Sequence, residues 1–322
     1  MNRRALVTGG AGFIGSHLVE HLLDDGWEVV SIDNFDPFYD PRLKHERVEL
    51  HEERPGFSFH EVDIRDRDAL IDSIPGTFDV IVHLAAKAGV RPSLEDPLAY
   101  QDVNVRGTQV LLEEAKRRSV PQFVFASSSS VYGVNRRTPW SEDDYVLEPI
   151  SPYAATKVSG ELLGKVYSHL FGMRFVALRF FTVYGPRQRP DLAISKFSRL
   201  IQEGKPITLF GDGSTRRDYT FIDDIIQGVR SAIGYEGSDY EVVNLGNNRT
   251  VSLHEMVETI EASLGIEARR EYLPEQPGDV PITWADLTKA QRLLDYDPLT
   301  DFQTGIRRYA SWLQSERVAV AV

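Results

Sequence analysis

The sequence contains no cysteine, which removes disulfides, thiolate metal sites and a cysteine nucleophile, and fits a cytoplasmic protein. No apolar run approaches the ~20 residues that a membrane-crossing helix needs, so no membrane partner is expected. The chain runs almost at once into an apolar strand pattern, with no secretory leader. Basic charge is in deficit: the formal net charge is −12, which argues against a nucleic-acid partner. Low-complexity tracts and repeats of solenoid period are absent too. What remains is a chain of 322 residues with ordinary globular composition, long enough for one large domain or two that flank a cleft.

The first pattern with chemistry in it stands at the start. Arg4-Ala5-Leu6-Val7-Thr8 reads as a buried strand, followed by Gly9-Gly10-Ala11-Gly12-Phe13-Ile14-Gly15 and an apolar-periodic helix over 16–25. A second strand, 29–33, ends on Asp33, with Asn34 beside it. Strand, spaced glycines, helix and then an acid about twenty residues on form a dinucleotide fingerprint in its required context. The glycines let backbone amides approach a pyrophosphate at the helix N-terminus. Asp33 suits ribose hydroxyls and repels a 2′-phosphate. With no Arg or Lys in the loop or just after Asp33, NAD is expected over NADP. The same helix carries His17-Leu18-Val19-Glu20-His21, a zinc-type pattern. A helix committed to a pyrophosphate is a poor place for a metal, so no metal is assigned.

Alternation continues with a strand at 57–62, a helix at 67–74, a strand at 80–84, a long helix at 98–118, a strand at 123–126, a helix at 153–171 and a strand at 175–180. Strands separated by helices of this length predict an α/β fold with a doubly wound parallel sheet, its ligand beyond the strand carboxyl ends. Asp63-Ile64 and Leu84-Ala85-Ala86-Lys87 follow two such ends and are expected to border the cofactor. Asn104 sits inside the long helix, where an amide needs a partner, and is expected among the cofactor residues. Beyond 185 the regularity changes, with a helix at 193–202, an apolar segment at 207–211 and a strand at 242–245 that returns to the sheet. The expected division is 1–185 with about 218–247 for the cofactor, and about 186–217 with 248–322 for a smaller substrate domain.

The catalytic candidates lie between the two parts. Ser127 to Ser130 close the fifth strand, and Ser151-Pro152-Tyr153-Ala154-Ala155-Thr156-Lys157 opens the next helix. Tyr153 and Lys157, four apart, project from one helical face. A phenol with an ordinary pKa of ~10 is a weak base, and moving it to the neutral range takes ~4 kcal/mol. A fixed ammonium beside it, and a cationic nicotinamide, favour the phenolate. Such a group can remove a hydroxyl proton while hydride leaves the same carbon.

Together these residues resemble the extended short-chain dehydrogenase/reductase superfamily and, within it, the nucleotide-sugar 4-epimerases. The likeness runs through the glycine loop, Asp33, Asp63, His83-Leu84-Ala85-Ala86, Asn104, the serine segment, the Tyr153/Lys157 pair, Arg217-Asp218-Tyr219, Gln276-Pro277-Gly278-Asp279 and Trp284-Ala285-Asp286. It implies a Rossmann cofactor domain, Tyr153 as acid/base, Lys157 as anchor of nicotinamide ribose and phenolate, and Ser128 as third member of the relay. Branches differ at readable positions. Dehydratases place an Asp-Glu pair in the serine segment and UDP-glucuronate decarboxylases a glutamate before Val-Tyr-Gly, where this chain has serines, Ser130 in the latter case. Galactose-type epimerases have Asn-Pro where this chain has Thr182-Val183.

Segment 181–191 and Ala88-Gly89-Val90-Arg91 are similar to the matching segments of UDP-glucuronate 4-epimerases. A sugar carboxylate needs a cation and hydroxyl donors. The expected substrate residues are Arg91, Ser128, Ser129, Ser130, Thr182, Arg189, Phe210 against uracil, Arg217 on the diphosphate, and Asp279. The resemblance further implies a homodimer through helices near 98–118 and 153–171. The expected activity is UDP-glucuronate to UDP-galacturonate epimerisation. Alternatives are a UDP-glucose/UDP-galactose 4-epimerase and, in another class, a non-catalytic NAD-binding regulatory or scaffold protein.

Overall fold

The computed structural model describes residues 3–144, 148–274 and 280–320, the last five as helical backbone alone. In chain order the strands are β1 (Arg4–Thr8), β2 (Glu28–Asp33), β3 (Phe57–Glu61), β4 (Val80–His83), β5 (Gln122–Ser128), β6 (Arg174–Phe180), β7 (Thr182–Tyr184), β8 (Ile207–Phe210), β9 (Arg216–Phe221), β10 (Tyr240–Leu245), β11 (Thr250–Ser252) and β12 (Arg270–Leu273). The helices are α1 (Phe13–Asp24), α2 (Arg42–Glu52), α3 (Arg67–Ser73), α4 (Val90–Glu95), α5 (Pro97–Tyr100), α6 (Thr108–Arg117), α7 (Pro152–Phe171), α8 (Ala193–Gln202), α9 (Ile222–Ile233), α10 (Leu253–Leu264), α11 (Thr288–Leu294) and α12 (Phe302–Val320).

Seven strands form one sheet in the order β10-β6-β5-β4-β1-β2-β3, every neighbour parallel. Strands covered on both faces need apolar residues at consecutive positions rather than alternate ones. β1 illustrates it: Ala5 and Val7 enter a core on one face with Leu18, Leu22 and Ile226, while Leu6 enters a second core with Leu111, Leu112 and Phe175. The strand order reverses between β1 and β4, which opens a crevice beyond their carboxyl ends.

Helix α7 starts where Ser151 accepts from the Ala154 amide at 3.1 Å and Pro152 fills the first turn, a cap and a preset φ that fix its first residue. It lies close on the sheet. A Cβ at Gly164 would stand 2.2 Å from the Phe175 ring, so any side chain there would push the helix off β6.

The long helix expected over 98–118 is present but broken in register. Between α5 and α6, residues Gln101–Gly107 form a π-helical stretch, a widened turn frequently found at functional sites. Outside the large sheet, β11-β9-β7 and β12-β8 form two small ones. β9 crosses the domain boundary expected at 217, so the substrate segment is stitched to the cofactor part within one strand. Asp218 on β9 is fully buried and accepts from the amides of Asn247 at 2.6 Å, Asn248 at 3.1 Å and Ala285 at 3.1 Å. Burial raises its carboxyl to about 6. Among the described residues no helix is long and apolar enough to cross a membrane.

Candidate active site

A cavity of ≈ 420 Å³ opens at the carboxyl ends of the central strands. Gly9, Gly12, Phe13, Ile14 and Gly15 form one wall, with Asp33, Asn34, Asp63, Ile64 and the run Leu84 to Lys87 around it. Ser128, Tyr153, Lys157, Thr182 and Arg189 line the same space. The turn before α1 is packed so tightly that a Cβ on Gly15 would lie 2.1 Å from the Gly9 carbonyl oxygen. The first turn of α1 therefore presents bare backbone amides, the fit a pyrophosphate requires.

Asp33 is buried, and burial raises its carboxyl above the usual range while Lys44 opposes that. Lys44 reaches it from α2 at 3.6 Å and is itself buried. The sequence has no cation just after Asp33; Lys44, on the following helix, supplies one. Asp63 is held by both ends, by Arg65 at 2.9 and 2.7 Å and by the Asn34 amide at 2.8 Å. Arg65 chiefly lowers its carboxyl to about 2. Lys87 closes over the crevice in an ion pair with Asp36 at 3.2 Å.

The proton-relay candidates meet, with one correction to their electrostatics. Lys157 is buried and donates to the Ala126 carbonyl at 2.7 Å, and its ammonium stands 5.9 Å from the Tyr153 ring centre. Burial lowers its pKa to about 8, with Glu161 opposing. The Tyr153 phenol is not lowered: burial raises it, and the Ser128 hydroxyl and the Arg189 charge only partly offset that. Desolvation outweighs the neighbouring cations in the protein alone. Ser128 also caps the turn that follows, its hydroxyl accepting from the Ser130 amide at 3.1 Å.

Asn104 does not line the cavity; it props the wall from behind. It accepts from the Lys87 amide at 2.8 Å and donates to the Lys87 carbonyl at 2.9 Å and to Thr156 at 3.1 Å. The π turn gives it that reach. Behind it runs an ordered chain. The Ala85 amide donates to Thr8, Thr8 to His83 Nδ1 at 2.7 Å, His83 Nε2 to Thr108 at 3.0 Å, and Thr108 to the Asn104 carbonyl at 2.6 Å. His83 is neutral, burial driving its pKa down to about 3, so the chain has one direction. His83 opens the His83-Leu84-Ala85-Ala86 segment that carries part of the family likeness, whereas Thr8 and Thr108 carry no sequence signal of their own.

The expected substrate residues do not all meet on the cavity. Thr182, Ser128 and Arg189 face the cavity. Ser129 and Ser130 form the short 3-10 turn beside it. Arg91 and Phe210 lie outside it, the guanidinium stacked 5.1 Å from the ring centre. Arg217 on β9 donates to the Arg216 carbonyl at 2.9 Å and also stands off the cavity wall. Asp279, with Gln276, Pro277 and Gly278, lies outside the described residues.

The zinc-like pair on α1 has another occupation. His17 donates from Nε2 to the Pro186 carbonyl at 2.9 Å and accepts at Nδ1 from Arg187 at 2.8 Å. Burial and Arg187 hold it neutral, near about 3. Both ring nitrogens are thus spent on fastening the 186–191 loop to the helix whose first turn faces the cavity.

A family model described as GDP-mannose 4,6 dehydratase matches residues 6–309. A UDP-glucuronate 4-epimerase of Thermodesulfobacterium geofontis is 43% identical over 310 residues, covering 95% of each chain. The crystal structure of UDP-glucuronic acid 4-epimerase from Bacillus cereus in complex with UDP-glucuronic acid and NAD superimposes with a TM-score of 0.90 at 39% identity, over 97% of this chain and 99% of that one. A UDP-glucose 4-epimerase from Thermotoga maritima, solved with UDP-glucose, gives 0.89 at 30% identity, over 98% and 99%. The chain belongs to the GDP-mannose dehydratase-like family of extended short-chain dehydrogenases/reductases, and among its close relatives are UDP-glucuronate 4-epimerases.

Proposed function

We propose that this protein is an isomerase that inverts C4 of a UDP-hexuronate, interconverting UDP-glucuronate and UDP-galacturonate with NAD. The observation that carries the reading is the meeting of Tyr153, Ser128, Lys157, Thr182 and Arg189 on one cavity with the glycine loop. The glycine loop, Asp33 and Lys44 would hold NAD, which when bound would supply the hydride acceptor and donor for the sugar carbon. Tyr153, as phenolate, takes the O4′ proton as hydride leaves C4′, and Ser128 shares that proton by hydrogen bond. The planar 4-keto sugar turns over in the cavity. Tyr153 returns the proton as hydride arrives on the other face, so no net oxidation results.

The phenol that burial has raised needs a further positive charge to ionise, and the oxidised nicotinamide brings one. Lys157, fixed by the Ala126 carbonyl, keeps its ammonium beside the phenol. Arg189 and Thr182 hold the sugar carboxylate. The 4-keto hexuronate is a β-keto acid that loses CO2 when its carboxylate stands perpendicular to the carbonyl plane, so a two-point hold restrains that rotation. Serines at 129 and 130 leave water elimination without its acid. Incubation with UDP-glucuronate, UDP-glucose and UDP-xylose, products resolved by chromatography, tests the assignment. Galacturonate must form fastest.

Arg189→Ala is expected to weaken UDP-glucuronate by about 1.5–3 kcal/mol and UDP-glucose much less, measured by calorimetry on the NAD-loaded protein. Equal losses for both sugars remove the carboxylate role. The division of the chain into 1–185 with 218–247 for NAD, and about 186–217 with 248–322 for the nucleotide sugar, belongs to the same reading, supported by the return of β10 to the large sheet. So does a cytoplasmic setting, which suits a cysteine-free chain.

A homodimer is the remaining part. Leu162, Val166 and Leu170, at helical spacing on α7, are 55%, 49% and 61% exposed. An apolar stripe open to water on an outer helix fits a second copy of the same helix. Val166→Glu is expected to turn a dimer into monomers in analytical ultracentrifugation. A monomeric wild-type protein excludes it.

A further inference from the structure

Arg189 already has a carboxylate. Its Nε and Nη2 donate side by side to the two oxygens of Asp191 at 3.0 and 2.7 Å, and both residues line the cavity beside Tyr153. This two-point geometry is the one a sugar carboxylate would adopt. We propose that Asp191 is a resident competitor for the substrate carboxylate: it holds Arg189 while no hexuronate is bound, and it sets the affinity for hexuronates without touching neutral sugars. The inference rests on the reading of Arg189 given above.

The backbone around the pair is pinned, so the exchange falls to the side chains. Arg187 sits at φ 62, its carbonyl accepts from Arg47 at 2.7 Å, and its guanidinium is taken by His17 and Glu20. His17 fixes the Pro186 carbonyl as well. The Arg189 guanidinium also stacks 5.1 Å from the centre of the Phe38 ring, a contact that survives a swap of one carboxylate for another. An incoming carboxylate that takes the same edge must displace Asp191. One that takes the outer edge sits close to a like charge. Either way Asp191 subtracts from hexuronate binding, and a neutral hydroxymethyl group meets neither cost. The same competition gives Arg189 a partner during the interval in which the sugar turns over and its carboxylate moves.

The test is a double-mutant cycle in NAD-loaded protein carrying Tyr153→Phe, so that titrated sugar is not turned over. Calorimetric Kd values for UDP-glucuronate and UDP-glucose are compared for Asp191→Asn, Arg189→Ala and the pair, with thermal melting to confirm folding. Asp191→Asn is expected to tighten UDP-glucuronate about fivefold, the scale of a partly exposed ion pair. The ratio of the two Kd values should shift towards the hexuronate. In the Arg189→Ala background the gain should vanish. Unchanged or weaker hexuronate binding in Asp191→Asn, or the same gain without Arg189, overturns the proposal. If Arg189→Ala weakens both sugars equally, the reading of Arg189 fails first and takes this one with it. A hexuronate-selective loss there, beside an inert Asp191→Asn, sinks the role of Asp191 alone.

Discussion

Tyr153→Phe is expected to cut epimerisation by about a thousandfold or more, within the range that a positioned acid/base contributes, while leaving the fold and NAD binding intact. The change removes one oxygen. The ring keeps its edge-on contact with Tyr100, centroids 6.2 Å apart, and Lys157 keeps its bond to the Ala126 carbonyl. What is lost is the group that, in the proposed mechanism, carries the O4′ proton. Ser128 cannot replace it, because an aliphatic hydroxyl lacks a phenol's acidity and is already engaged as the cap of the following turn. Chromatographic detection of UDP-galacturonate, with NAD titration and a melting curve on the same sample, separates chemistry from folding. Activity within tenfold of wild type would return the proton transfer to another group.

The second large effect falls about two helical turns further along α7. Glu161 is buried, accepts from Ser127, and receives a two-point pair from Arg179 at 2.9 and 2.8 Å. Both side chains of the pair are under 10% exposed. Truncating one partner of such a pair leaves the other charge in a dry site, and Glu161→Ala is expected to cost about 3–5 kcal/mol in denaturant unfolding. Replacing both residues by methionine should recover much of that, since no unpaired charge remains. A single variant as stable as wild type would mean that water reaches Arg179. The pH profile adds a sign. Burial depresses Lys157, and Glu161 is the group that resists. Without the carboxylate the ammonium is lost at a lower pH, and the alkaline limb of the rate profile moves downward.

Much of this site could be read from the sequence because its signals are local. A strand, a glycine turn and an acid lie within one βαβ unit, and β1 spans the residues expected of it. Tyr153 and Lys157 are neighbours by helical periodicity alone. What escaped depends on contacts between distant segments. The π turn in 101–107 is held by the Asn104 bonds to Lys87 and Thr156, which no helical propensity encodes. Phe210, expected against uracil, carries the Arg91 guanidinium 5.1 Å from its ring centre, a pairing of distant segments that no local pattern encodes. Lys44 was hidden by a loop and a turn of helix. The direction of the Tyr153 shift was misjudged for the same reason: spacing gives the cation's proximity, whereas burial is a property of the finished fold.

The position of β10 has a consequence for how the molecule is made. Its place is the outer edge beside β6, yet its residues leave the ribosome only after β7, β8 and β9 have been synthesised. Until then β6 presents an open row of amides and carbonyls to the cell, a template for wrong partners. The seven-stranded sheet therefore cannot be finished ahead of the rest, and a nascent chain halted before Tyr240 should be a client for chaperones rather than a folded module.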